Sequence, residues 1–157
     1  MNQHLINLKQ KVKAISGYTE TAKKAKLIFS GQTEFEAYFL NKYLIKEEGD
    51  KIFPFITFVP KHPMGGSVLY LDNMKDKESS EAYAIPIQMA QKGVTVIVPD
   101  LPGYGELGPG YLKGDAYFEN TSYNQWFAGI LNGKSTVAIH VEAIETLLKV
   151  CKTDLKL

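Results

Sequence analysis

Apolar positions change their spacing along this chain, and the change predicts where helix gives way to strand. Over residues 2–15, Leu5, Leu8, Val12 and Ile15 recur at helical spacing with lysines between them, and Gly17 is a natural stop. This predicts a surface helix packed through one stripe. Residues 18–34 are polar and lysine-rich and are expected to form a linker or loop. From Phe35 to Ile45 the chain is aromatic and strand-like, Glu47-Glu48-Gly49-Asp50 is a turn, and Ile52 to Val59 is a second strand. Two such strands joined by a Gly-Asp turn predict a hairpin, ended by Pro60, Pro63 and the Gly65-Gly66 pair.

Ser67 to Leu71 is a short continuous apolar run, the pattern of a strand buried on both faces. A helix is expected next, with Pro86 in its first turn, Ile87, Met89 and Ala90 as apolar contacts, and Gly93 closing it. Val94 to Val98 is the most β-branched stretch and predicts another buried strand. A loop rich in Gly, Pro and Tyr follows from Pro99 to about Asn120. Ser135 to Lys152 is expected to be a helix with Val137, Ile144, Leu147, Leu148 and Cys151 on its apolar side. Strands alternating with helices predict an α/β fold with a mainly parallel sheet. There is no internal repeat.

Composition narrows the function classes. The chain has 157 residues, 45% hydrophobic and 22% charged, which fits one globular domain and excludes disorder or fibre. No apolar run approaches the ~18 residues of a bilayer span, and Met1-Asn2-Gln3-His4 opens no signal peptide, so a cytoplasmic location is the default expectation. The lone Cys151 excludes a disulfide framework, and His4, His62 and His140 lack metal-ligand spacing. Neither metal nor cofactor is expected. All 18 basic residues are lysine, so the bidentate arginine reading of guanine or phosphate is missing. Residues 1–30 carry a net +5 and the remainder −4. A solvated lysine-rich helix explains this asymmetry, and no nucleic-acid or membrane partner is expected.

Three motif matches fail on context. Gly103-Tyr104-Gly105-Glu106-Leu107-Gly108 is a G-x-G-x-x-G, but Pro109-Gly110 follows where a helix must open to receive a pyrophosphate. Gly133-Lys134-Ser135-Thr136 resembles the end of a P-loop, yet position 128 is alanine where the first glycine belongs. Ser135 is better explained as the cap of the last helix. Around Ser67 and Ser135 the final glycine of a G-x-S-x-G elbow is replaced by Leu69 and Val137. No nucleophile, base and acid set assembles, so no catalytic residue is assigned.

Val68-Leu69-Tyr70-Leu71, a polar loop, a helix, and then Lys92-Gly93-Val94-Thr95-Val96-Ile97-Val98-Pro99-Asp100-Leu101-Pro102-Gly103-Tyr104-Gly105 together resemble the N-terminal half of an α/β-hydrolase. The likeness is to the acetyl xylan esterase or dienelactone hydrolase type, over about residues 40–151. It implies a partial three-layer α/β/α domain over 35–157, preceded by a basic helix and linker over 1–34. It also implies a serine carboxylic-ester hydrolase acting, in its full-length form, on a small acylated substrate.

Several departures accompany the likeness. Asp72-Asn73 stands where such enzymes usually have His-Gly, leaving the N–H groups of Asn73 or Met74 as oxyanion-side candidates beside an opposing acidic residue. His140 and Ala143 replace an ion pair that relatives often carry. The family's serine, acid and histidine come after the position of Leu157 in chain order, so this stretch is expected to be inactive alone.

Asp100 has either a role in the pocket or the simpler one of ordering its own turn. Tyr104, Tyr111, Tyr117, Tyr123 and Trp126 either line an acyl or sugar pocket or pack the loop. The resemblance further implies that strand 67–71 is a sheet edge, expected to pair with a missing C-terminal half or with a second copy. The competing reading is a non-catalytic carbohydrate- or protein-binding module on a hydrolase scaffold.

Overall fold

The computed structural model describes residues 2–20, 24–49, 51–71, 82–108, 117–118 and 121–157. Helix α1 (Asn2–Ser16) leads into strand β1 (Ala25–Glu34), β2 (Tyr38–Glu47), β3 (Ile52–Pro60) and β4 (Ser67–Leu69). Helix α2 (Ala84–Gln91), strand β5 (Thr95–Pro99), the short strands β6 (Tyr117–Phe118) and β7 (Thr121–Ser122), and helices α3 (Tyr123–Leu131) and α4 (Thr136–Val150) complete the order.

The main sheet has five strands in the order β1-β2-β3-β5-β4. β1, β2, β3 and β5 pair antiparallel, and β4 with β5 is the sole parallel pair in it. The sheet is therefore mixed and mostly antiparallel, which corrects the mainly parallel expectation. Connection length is the reason: short turns join β1, β2 and β3, and a tight turn reverses the chain. At the β2–β3 turn, Gly49 takes φ +95°, a conformation that glycine adopts without strain. Only β4, α2 and β5 form a crossover long enough to bring two strands into parallel alignment.

The sheet is covered on both faces, because alternate residues of each strand point to opposite sides. Ile45, Phe53, Phe55 and Ile97 pack with Leu147, Val150 and Cys151 at the α4 side. Tyr38, Phe58, Val96 and Val98 pack with Ala90 of α2 on the other side. Every residue of β5 is buried, as befits a strand with helices on both faces.

Four further expectations are revised. Residues 25–34 form β1 rather than a loop. Their alternation was hidden because the register shifts between Phe29 and Gly31, a bulge that breaks the two-residue period. The strand predicted over 67–71 spans only 67–69, and it is half-buried because it lies at the sheet's edge. Helix α3 and the β6–β7 pair lie in and just after a stretch dominated by Gly, Pro and aromatic residues, which mask periodicity. Finally, α1 has its expected span and stop, with Gly17 at φ +70°. Among the described residues its apolar stripe stays exposed: Leu5, Leu8, Val12 and Ile15 are 45–86% exposed.

Candidate functional site

The loop after β5 is built around Asp100. This residue ends a fully buried strand and is itself buried. Its Oδ2 accepts a hydrogen bond from the Glu106 N–H at 2.8 Å. Gly105, at φ +57°, lies so close that a Cβ there would sit 2.5 Å from the Asp100 carboxylate. The carboxylate therefore folds its own loop. Two helices hold that loop from outside: Gln125 of α3 donates to the Pro102 carbonyl at 2.7 Å, and His140 Nε2 of α4 donates to the same oxygen at 2.9 Å. Tyr104 meets the His140 ring edge-on at 5.4 Å.

Burial holds the His140 imidazole below its ordinary value of 6.5, with the Pro102 carbonyl pulling weakly the other way. The folded chain thus resists protonating His140, whereas the unfolded chain takes the proton readily. This contribution to stability is complete above pH 6.5 and is lost as pH falls below it. We expect the urea midpoint to decline on acidification through this range, and His140→Gln to flatten that decline. An unchanged pH profile in the variant would contradict the assignment.

Beside this loop lies a cavity of about 910 Å³, at the end of the sheet where the β2–β3 turn, α3 and the start of α4 converge. Phe53, Leu107 and Ile139 supply apolar wall; Glu20, Glu47, Lys51, Lys134 and Glu142 supply charge. Lys134 Nζ donates to Glu142 at 2.6 Å, and Thr19 donates to the same carboxylate through its N–H and its hydroxyl, each at 2.9 Å. Burial by itself would raise the Glu142 carboxyl, but Lys134 and Thr19 outweigh it and hold the group below its usual value. Next to it, Tyr18 donates to Glu145 at 2.6 Å, which pushes the phenol up to about 12. The residues after α1 are thereby fastened to α4.

Of the residues singled out from sequence, Asp100 and Tyr104 share the loop after β5. Trp126 does not join them: it is about half exposed on α3, with Tyr123 5.6 Å away. Asn73, Met74 and Tyr111 lie outside the described residues. Ser135 accepts from the Ala138 N–H at 3.1 Å and caps α4. Sequence reasoning missed Glu47 and Glu142. The signal for Glu47 was its parity, since Tyr43, Ile45 and Glu47 alternate onto one face of β2. Among the described residues, no cluster of three or more His, Cys, Asp or Glu is placed to hold a metal, and no helix is long and apolar enough to cross a membrane.

No protein-family model and no curated protein matches the sequence. Solved structures do match the fold. One is a Bacteroides fragilis protein provisionally assigned as an acetyl xylan esterase, with TM-score 0.73 at 15% identity, covering 95% of this chain and 42% of that one. Another is a cold-adapted esterase from an Arctic intertidal metagenomic library, with TM-score 0.53 at 14% identity, covering 79% of this chain and 50% of that one. The chain shares an α/β fold with these two proteins and spans half or less of their length.

Proposed function

We propose that this chain is the scaffold portion of a serine carboxylic-ester hydrolase of the acetyl xylan esterase type, and that it is inactive without the rest of the catalytic domain. The observation that carries this reading is the edge position of β4, with whose outer side no strand pairs among the described residues. Thr95 N–H donates to the Gly66 carbonyl and Tyr70 N–H to the Ile97 carbonyl, so residues 66 and 70 turn inward to β5. By the alternation of strand hydrogen bonds, Ser67 and Leu69 direct their N–H and C=O groups outward. A groove of about 470 Å³ runs along this edge, and Leu69, Leu148, Cys151 and Leu157 line it. In this reading the edge takes the strand that carries the nucleophile, and the substrate is a small acylated molecule. Asp100 and Tyr104 border the pocket through their loop in this reading, and the N–H groups of Asn73 or Met74, residues outside the described ones, are assigned the oxyanion role.

Two experiments test it. In the first, hydrolysis of p-nitrophenyl acetate appears when the chain is joined to a downstream polypeptide containing G-x-S-x-G; an inactive joined polypeptide removes the reading. The second concerns the edge, which in the absence of that polypeptide pairs with a second copy. Sedimentation velocity should show self-association, abolished by Leu69→Pro, which removes one outward N–H. A clean monomer with no added partner counts against it.

A second reading is favoured by one observation. Helix α3 carries no charge and exposes Tyr123, Trp126 and Phe127 together, with Tyr123 stacked on Phe127 at 6.1 Å. Such a patch suits a non-catalytic carbohydrate- or protein-binding module. Glycan binding by the chain that is lost in Trp126→Ala would decide for it.

A further inference from the structure

We propose that the cavity between the β2–β3 turn, α3 and α4 binds a small molecule with a protonated amine at one end and an apolar body, and that Glu47 receives the amine. The inference goes beyond the esterase reading and does not depend on it.

Glu47 is only 6% exposed and lines the cavity. Among the described residues, its carboxylate accepts one hydrogen bond, from the Thr146 hydroxyl at 2.6 Å. That hydroxyl also lies 3.2 Å from the Glu142 carbonyl, so its single proton is shared between two acceptors. No cation reaches Glu47 among the described residues. A carboxylate removed from water with a single partner is costly, and such groups are ordinarily paired. The contrast with Glu142 is informative: in the same cavity that carboxylate has an ammonium and a threonine. Of the two buried carboxylates that line this cavity, Glu47 is the one without a cation among the described residues. An ammonium donates three hydrogen bonds and cancels that charge, whereas a neutral hydroxyl supplies one donor and no charge.

The walls set the rest of the ligand. Phe53, Leu107 and Ile139 surround the space with apolar surface, and about 910 Å³ is within the range of small-molecule pockets. Ala128 of α3 also lines the cavity, so a larger side chain at this position occupies ligand volume without touching the carboxylate.

The test is a calorimetric titration of the full chain with three probes of equal length: n-hexylammonium, 1-hexanol and hexanoate. We expect n-hexylammonium to bind and hexanoate not to bind, with 1-hexanol about tenfold or more weaker than the amine. Glu47→Gln keeps an acceptor for Thr146 but removes the charge, and it should weaken the amine about tenfold or more while leaving 1-hexanol unchanged. Ala128→Phe should weaken both amine and alcohol, which keeps the test informative if the first variant fails to fold. Equal binding of amine and alcohol overturns the proposal, as does amine binding unaffected by either variant. So does Lys51→Ala creating amine binding that the unaltered chain lacks, because Lys51 would then be the cation that satisfies Glu47. Esterase activity of a joined polypeptide bears on none of these outcomes.

Discussion

The 157-residue chain by itself should hydrolyse p-nitrophenyl acetate no faster than buffer. Complete enzymes accelerate their reactions by roughly 10⁶-fold or more, so the expected difference is large. Part of the reason is that Ser135, Ser122 and Cys151, all among the described residues, are engaged or suppressed. Ser135 and Ser122 accept the N–H groups of Ala138 and Gln125 as helix caps, and Ser122 is buried as well. Burial, with a smaller push from Asp154, raises the Cys151 thiol to about 11, so thiolate is scarce at neutral pH. His140 spends its Nε2 proton on the Pro102 carbonyl, and among the described residues no serine is paired with it. A hydrolase needs a nucleophile whose base is itself oriented by a third group. Hydrolysis that co-purifies with the chain through successive separations, and survives Ser135→Ala and Cys151→Ala, would overturn the scaffold reading.

The second large effect is on stability. Phe55→Ala should cost about 3–5 kcal/mol, because the ring is almost fully buried and stacks on Tyr43 at 5.0 Å. Phe55 sits at the centre of the sheet, paired with Tyr43 on one side and Pro99 on the other, facing the α4 core. Its removal leaves a cavity that neither neighbouring strand can close, since both are held by ladder hydrogen bonds. Whole domains are stable by only about 5–15 kcal/mol, so this one change removes a large share. Urea denaturation should show the midpoint falling with the slope unchanged. Phe29→Ala is the control: that ring is 58% exposed on β1 and should cost far less. Similar losses in the two variants would mean that β1 is more deeply packed than the sheet order implies.

The fold shared with the two solved structures accounts for the strand order, and in the scaffold reading the site depends on what adjoins β4. The outward groups of Ser67 and Leu69 and the Leu148–Leu157 groove form one continuous surface along that edge. By contrast, the cavity at Glu47 is bounded by elements of this chain alone among its described lining residues. The two surfaces can therefore be probed separately.

Much of the architecture could be read from sequence because it is written in local periods. The aromatic run from Phe35 to Ile45, the β-branched run ending at Val98, the apolar spacing of α4 and the Ser135 cap each depend on a few neighbouring residues. Together they specify strands, helices, and the likeness to a hydrolase scaffold. What they could not specify is which strand lies beside which. That β5 enters between β3 and β4, that β4 is left at an edge, and that the sheet is mostly antiparallel follow from pairings between distant residues. The bulge at Phe29–Gly31 hid β1 from any periodic reading, and only its ladder with β2 shows it to be a strand. Likewise, sequence alone gives Glu47 as part of a polar turn. Only the packing of α4 against β2 and β3 buries it beside Thr146, because burial is a property of what surrounds a residue, and those surroundings come from a segment 99 positions away.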